Sequence, residues 1–278
     1  MPVLLMVFGG AGCFGTFIED GSSVSIGTHA AGGLWRGSRI PFDGLGYSVP
    51  LAWRGRRATY ATAELADSLS KAFANVDRLF PGSKAALGDV SRLAGGSSAE
   101  HKSHHNGRDA DVFFYAVDEK GQPFRSEKAM LTFGADGWAK SWSPPKGGRP
   151  PASAVPRVRF DRRRNWALVR ALITSPSAEV QWIFIHRDLR AELLAQAERE
   201  GEAAELVLRA AALLHQPGDS APHDDHLHVR VYCDTSDRAH GCDDRGPVRW
   251  LKKYWKYMPP GGAPADADAP GERVALMR

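Results

Sequence analysis

Two stretches far apart in the chain are built from residue types that hold divalent metal ions. The first runs His101-Lys102-Ser103-His104-His105-Asn106-Gly107-Arg108-Asp109-Ala110-Asp111, and the second His223-Asp224-Asp225-His226-Leu227-His228. Together they hold six of the ten histidines. Imidazole nitrogen and carboxylate oxygen suit zinc, and a catalytic zinc site uses about three protein ligands and leaves one position for water. Three histidines and one aspartate from the two stretches could surround one such ion. That combination points to a hydrolase rather than a binding scaffold.

The spacing narrows the roles. His226 and His228 stand two apart, and Leu227, Val229 and Val231 alternate with them as on a strand. Residues two apart on a strand share a face, so both imidazoles point into one space. The bland alternative is a pair of surface histidines on a half-exposed strand. Asp111 immediately precedes the apolar run Val112–Ala116, which places its carboxylate at a strand start. His104 lies seven residues earlier, across a turn containing Asn106-Gly107, and a loop that folds back brings the two together. The expected ligands are therefore His104, Asp111 and His228. An ion held there lowers the pKa of its water to about 7. His226 then stands beside that water, placed to stabilise developing charge or to hand a proton to a leaving amine. His101 and His223 each stand three residues ahead of a site histidine. They read as auxiliary acid–base groups or as hydrogen-bonding supports. Asp109, two before Asp111, could share its face and bind Arg108 or loop amides, but reads first as a turn-stabilising carboxylate; His105 reads as facing away, and His215, before a Pro-Gly turn, lies outside the set. Cys233 and Cys242 lack the paired spacing of a thiolate zinc site.

The elements that must position these groups follow from periodicity. Leu65, Leu69, Phe73, Val76 and Phe80 recur at three- and four-residue steps, predicting a helix over 62–80 that Pro81-Gly82 stops. Further helices are expected over 161–174, 189–200 and 203–214. Strands are expected over 112–116, 180–185 and 227–232, with a short one at 87–90. Residues 20–57 show few periodic runs, and 134–158, rich in Pro and Gly, read as a long loop. Strands separated by helices predict an α+β fold: one domain around a small antiparallel sheet that carries the site, flanked by helices.

Composition bounds the partners. A hydrophobic fraction of 43% supports a sizeable core, and a net charge of +4 is a mild surplus that suits an acidic polymer such as a cell wall. The basic runs Arg54-Gly55-Arg56-Arg57 and Arg162-Arg163-Arg164 read as solvated turns or helix starts, so no nucleic-acid partner is expected. No apolar run reaches the ~18 residues of a membrane span. Residues 1–19, with apolar Val3–Phe8 and small residues leading to Cys13, resemble a secretion or lipoprotein signal. A membrane partner is expected only if Cys13 is lipidated. Cys233 and Cys242 are nine apart, and a disulfide between them would imply an oxidising compartment. Residues 259–278 are Pro, Gly, Ala and Asp-rich and are expected to be a disordered tail.

The residues also carry a family resemblance. His101-x2-His104-x2-Gly107-x-Asp109-x-Asp111, with His223-x2-His226-x-His228-Val229-Arg230 and a cysteine shortly after, resembles the penicillin-insensitive murein endopeptidases. These belong with the lysostaphin, D-Ala-D-Ala peptidase and hedgehog group of zinc proteins. Leu87-Gly88-Asp89 ahead of Gly95-Gly96, and the Trp182-Ile183-Phe184 strand, are similar too. The likeness spans about residues 25 to 255, and a zinc peptidase domain is expected over 20–258. It implies a periplasmic or secreted enzyme with one Zn2+ per chain, held by His104, Asp111 and His228, with His226 catalytic and His101 and His223 on positions that are also histidine. The implied substrate is peptidoglycan, cut at D-alanyl–meso-diaminopimelyl cross-links. The Pro/Gly-rich 134–158 stretch departs from the family, and residues 117–160 offer no histidine for a second metal. A D-Ala-D-Ala carboxypeptidase and a non-catalytic zinc-containing wall-binding module are the competing readings.

Overall fold

A computed structural model gives the architecture and describes residues 23–244; the signal-like stretch 1–19 and the tail 259–278 lie outside the described residues. The fold is α+β, with several small sheets and, among the described residues, six helices. The sheet that matters for function has four strands in the order Leu214–His215, Val180–Phe184, His226–Val231, Asp109–Phe113.

The sequence dictates which face of this sheet is apolar. Leu227, Val229 and Val231 are buried and join one core with Leu65, Phe73, Trp166 and Leu172. Strand alternation then turns His226, His228 and Arg230 to the opposite face. Register extends that polar face sideways. His228 pairs with Asp111 and Arg230 with Asp109 on one side, while Phe184 pairs with His228 and Trp182 with Arg230 on the other. Helices cover the apolar face. The helix Ala63–Leu79 starts where the Thr62 side chain accepts the Leu65 amide, and buries Leu65, Leu69, Phe73 and Val76 as the period predicts. The helix Arg162–Ile173 is capped by Asp161 and packs against it.

Four expectations need correction. The sheet is not wholly antiparallel, because Leu214–His215 runs parallel to Val180–Phe184. The chain leaves that strand through helices Arg187–Arg199 and Ala204–Leu213 and re-enters beside it, which is how a helical crossover makes a parallel pair. The strand expected at 112 begins at Asp109. Asp111 is therefore mid-strand, and Asp109 is a strand residue rather than a turn carboxylate. Residues 20–57 hold paired short strands, Val24–Thr28 with Ala31–Trp35 among them. Part of the expected 134–158 loop, Ala139–Ser143, is a strand that forms a hairpin with Met130–Phe133.

The expected disulfide between Cys233 and Cys242 is present. It closes a loop whose far end folds back on the site strand. Arg108, fully buried, donates to the Val231 carbonyl, to Asp244 Oδ1 at 3.0 Å and to the Asp243 carbonyl. The residue next to the site is thus neutralised by the segment that follows the disulfide.

Candidate metal centre

Asp111 Oδ1 is the point on which the site converges. It lies 3.1 Å from His228 Nδ1, 3.3 Å from His104 Nε2 and 3.4 Å from His226 Nε2. Each imidazole has its other nitrogen engaged by an acceptor. His104 Nδ1 donates to the Val90 carbonyl at 2.7 Å, His228 Nε2 to Asp109 Oδ1 at 2.7 Å, and His226 Nδ1 to Asp225 Oδ1 at 2.5 Å. These partners assign the tautomers and leave three nitrogen lone pairs facing one carboxylate oxygen. Asp111 Oδ1 and His104 Nε2 are buried without a hydrogen-bond partner. Buried polar atoms are rarely left so, and electron-pair donors aimed at one another call for a cation between them. Ligands about 2.0–2.2 Å from a tetrahedral zinc stand about 3.3–3.5 Å apart, close to the spacing here. The residues fit a zinc ion.

Local chain geometry explains why these groups meet. His228 and Asp111 are direct cross-strand partners, so register alone brings them together. His104 arrives through the loop and holds a positive φ of 68°. The Ser91 hydroxyl donates to the His104 carbonyl and accepts the Gly107 amide, clamping the turn. Gly107 has φ +80°, and a Cβ there would meet Leu34 at 2.7 Å. The left-handed backbone at this position favours glycine, and an added Cβ would also displace the end of the Leu34 side chain.

Behind the converging imidazoles stands a layer of charge. Asp109, fully buried, accepts from both His228 and Arg230 Nε, the latter at 2.6 Å. Burial opposes ionisation of Asp109, but Arg230 and His228 hold its carboxyl well below the usual range. Burial likewise opposes ionisation of Asp111, and the His104 and His226 imidazoles outweigh it. His226 behaves conversely. Burial disfavours its cation, yet Asp111 and Asp225 raise its pKa well above the ordinary value, so without an ion a proton supplies the missing positive charge. Phe184 packs its ring 5.1 Å from the His228 ring and carries the Arg230 guanidinium 5.2 Å from its own centroid.

The expected site residues divide by distance. His104, Asp111, His226 and His228 come together as described. His226 differs from His104 and His228 by exposure rather than position: its side chain is 17% exposed, against 3% for His104 and 7% for His228. His101 Nε2 sits 2.7 Å from Asp89 and 4.0 Å from Asp111 Oδ2, at the rim. His223 lies within metal-ligand reach of His226 and His228. Burial, with His226 and His228 adding, lowers its pKa to about 3, so it stays neutral at neutral pH. His105 is tied through its backbone to His29 and Gly96 and stands in neither of the His/Asp clusters. Sequence reasoning gave no site role to Asp225, to Arg56 or to Asp89, which entered only through the family likeness, and it preferred a turn role for Asp109. Asp225 sat in plain view beside His226, and the spacing of two between Asp109 and Asp111 mirrors that of His226, His228 and Arg230. Arg56, read as part of a solvated run, pairs with Asp89 at 2.7 Å and so stands behind His101. Nothing in the sequence signals that long-range pairing.

Carboxylate and imidazole donors around an orphaned oxygen, on a half-open sheet face, define a candidate metal-dependent hydrolase. The chain matches the family model of the penicillin-insensitive murein endopeptidases over residues 25–251, and it belongs to that family. It is therefore a hydrolase of a peptidase family that acts on peptidoglycan. A search of curated proteins finds no match to the chain.

Proposed function

We propose that the protein is a zinc-dependent D,D-endopeptidase that cuts D-alanyl–meso-diaminopimelyl cross-links, working in the periplasm or as a secreted protein. The observation that carries the metal is the buried, unpartnered Asp111 Oδ1 facing three imidazole nitrogens. His104, Asp111 and His228 would hold the zinc, and membership of a murein endopeptidase family supports peptidoglycan as the substrate. Bound zinc supplies a Lewis acid and a water of lowered pKa. His226, at the exposed edge, takes a proton at Nε2 from the attacking water, hands it to the leaving amine and stabilises charge that develops beside it. Asp109 and the Val90 carbonyl keep His228 and His104 in the tautomers that ligation requires. His223, neutral and adjoining, and His101, held on Asp89, orient substrate and water around that centre. The Cys233–Cys242 disulfide fits an oxidising compartment.

One observation favours a second reading. His226 Nε2 lies 3.4 Å from Asp111 Oδ1, close to the 3.3 Å of His104 Nε2 and the 3.1 Å of His228 Nδ1, and four protein ligands would close the site into a structural zinc. Purified sacculi digested with and without chelator separate the two, read as loss of cross-linked muropeptide dimers. Zinc content of His226→Ala completes the test. Full zinc with turnover lowered at least tenfold supports the catalytic role, while loss of zinc from this variant supports the closed site. Release of terminal D-alanine from material whose cross-links persist would make the protein a carboxypeptidase instead.

A further inference from the structure

We propose that Asp225 is a positioning residue for His226, and that Ser143 ties its carboxylate to the Pro-Pro segment at the rim of the site. The inference deepens the peptidase reading above and rests on it for its kinetic consequence alone. Asp225 uses both oxygens. Oδ1 accepts the His226 Nδ1 proton at 2.5 Å, and Oδ2 accepts the Ser143 hydroxyl at 2.6 Å. A carboxylate held at both ends has little freedom to rotate. It fixes His226 as the Nδ1–H tautomer and leaves Nε2 directed at Asp111.

The origin of Ser143 gives this pairing its wider meaning. Ser143 ends the strand Ala139–Ser143 of the hairpin that departs from what the sequence led us to expect. The first strand of the same hairpin is tied to the neighbouring residue, since the Phe133 amide donates to the Asp224 carbonyl at 2.8 Å. The hairpin is therefore clamped on the 224–225 dipeptide through both of its strands. Beyond Ser143 the chain runs Pro144-Pro145-Lys146, and Lys146 Nζ donates to the Ala99 carbonyl at 2.5 Å. Ala99 lies two residues before His101. Three residues span at most about 10–11 Å, and two prolines stiffen the run. The segment therefore links the Asp225–His226 side of the site to the loop that delivers His101. Whatever presses on this rim acts on the orientation of His226 through Ser143 and Asp225.

The test uses full-length Asp225→Asn and Ser143→Ala, each loaded with zinc. Its first readout is the imidazole Nδ1 proton of His226 in 15N-histidine-labelled protein, assigned by its absence in His226→Ala. In the native protein this proton should resonate far downfield, as expected of a short bond to a carboxylate. In Asp225→Asn it should move upfield or vanish, with zinc stoichiometry and chelator resistance kept. On muropeptide dimers kcat should fall about 10–100-fold, with KM changed less than threefold, the range seen when a carboxylate behind a site imidazole is lost. Ser143→Ala should shift the same resonance and lower kcat a few-fold, and the double variant should be no slower than Asp225→Asn, because both act along one chain. Retention of the downfield resonance in Asp225→Asn overturns the proposal. So does a kcat within twofold of native, or a loss of zinc that matches the loss of activity, which would make Asp225 a support for a ligand. Should Asp225→Asn fold poorly, Ser143→Ala, which removes only a hydroxyl, decides through the resonance. If the native protein cuts no dimers, the peptidase reading fails while the resonance and zinc measurements still decide whether Asp225 positions His226.

Discussion

Asp109→Asn is the sharpest perturbation of the charged layer behind His104, Asp111 and His228. Asparagine keeps the shape of the side chain and removes its charge. Asp109 Oδ1 accepts from both His228 and Arg230, whereas Oδ2 is buried with no hydrogen-bond partner. The amide nitrogen can therefore take the Oδ2 position while the carbonyl oxygen keeps both bonds. What is lost is electrostatic. Arg230, its side chain 8% exposed, would remain buried opposite a neutral group, with Arg108 adjoining. Removing one member of a buried pair costs about 3–5 kcal/mol. The hydrogen bond to His228 also weakens, since bonds to a charged acceptor are roughly twice as strong as neutral ones. Loss of such a partner weakens metal binding about 10–100-fold, which is about 1.4–2.8 kcal/mol of ligand-linked stability at fixed saturating zinc. Urea unfolding should thus show the zinc-free variant down by about 3–5 kcal/mol and the zinc-loaded one down further, with chelator competition giving the affinity directly. Full destabilisation with native zinc affinity would refute the claim that Asp109 aims His228. Native stability in the zinc-free form would refute the buried pair itself.

Three further outcomes follow from the structure. Burial, with Glu64 and Asp234 adding and the Ser25 amide opposing, raises the pKa of Asp237 to about 6. Its contribution to stability is full below about pH 4 and is lost as pH rises through about 6, so Asp237→Asn should match the native protein at pH 4 and exceed it by about 1–3 kcal/mol at pH 8 in urea titrations. His104 holds φ 68°, a conformation that costs an ordinary residue about 1–2 kcal/mol and glycine almost nothing. His104→Gly and His104→Ala should both lose zinc, but the glycine variant should be the more stable by about 0.5–1 kcal/mol after its larger unfolded-state entropy is subtracted; equal stabilities would show that the turn relaxes. Reducing Cys233–Cys242, which closes a nine-residue separation, should cost about 2–3 kcal/mol by calorimetry. It should also release the 243–244 segment from Arg108, seen as faster amide exchange in the Asp109–Phe113 strand.

Periodicity recovered the helices well, because Leu65, Leu69, Phe73 and Val76 repeat on one face over about three turns and Thr62 supplies the cap. The strand Val180–Phe184 was equally clear from its β-branched and aromatic run. Strand starts were less legible. A run such as Arg108-Asp109-Ala110-Asp111 looks like a loop because its charge is set against strand propensity, and only the tertiary partners Arg230, His228 and His104 make those carboxylates tolerable in a buried strand. The hairpin Met130–Phe133 and Ala139–Ser143 was hidden for a related reason. Its second strand is half exposed and polar, and its pairing depends on a turn and a register shift at Phe133 that no local period encodes. In the site, residue types announced the centre and Asp225 stands next to His226 in the chain, but the supports Asp89, Arg56 and Ser143 act across separations that a linear reading does not see.

The register of the site sheet ties its stability to its chemistry. On one face Leu227, Val229 and Val231 meet the core; on the other His226, His228 and Arg230 meet the acids. A slip of one residue would exchange the two sets. It would drive two imidazoles and a guanidinium among Leu65, Phe73 and Trp166 and leave Asp109 and Asp111 opposite valine and leucine. Each uncompensated buried charge costs several kcal/mol, and the lost apolar burial adds about 1.5–3 kcal/mol per side chain. The slipped pairing is therefore excluded by more than the whole stability of an ordinary domain. The same alternation that makes a core on one side delivers His228 opposite Asp111 on the other, so this part of the candidate metal centre needs no ordering beyond what folding the sheet already imposes. Only His104, brought by a loop through a left-handed turn, must be held by other means, and the Ser91 and Gly107 contacts supply them.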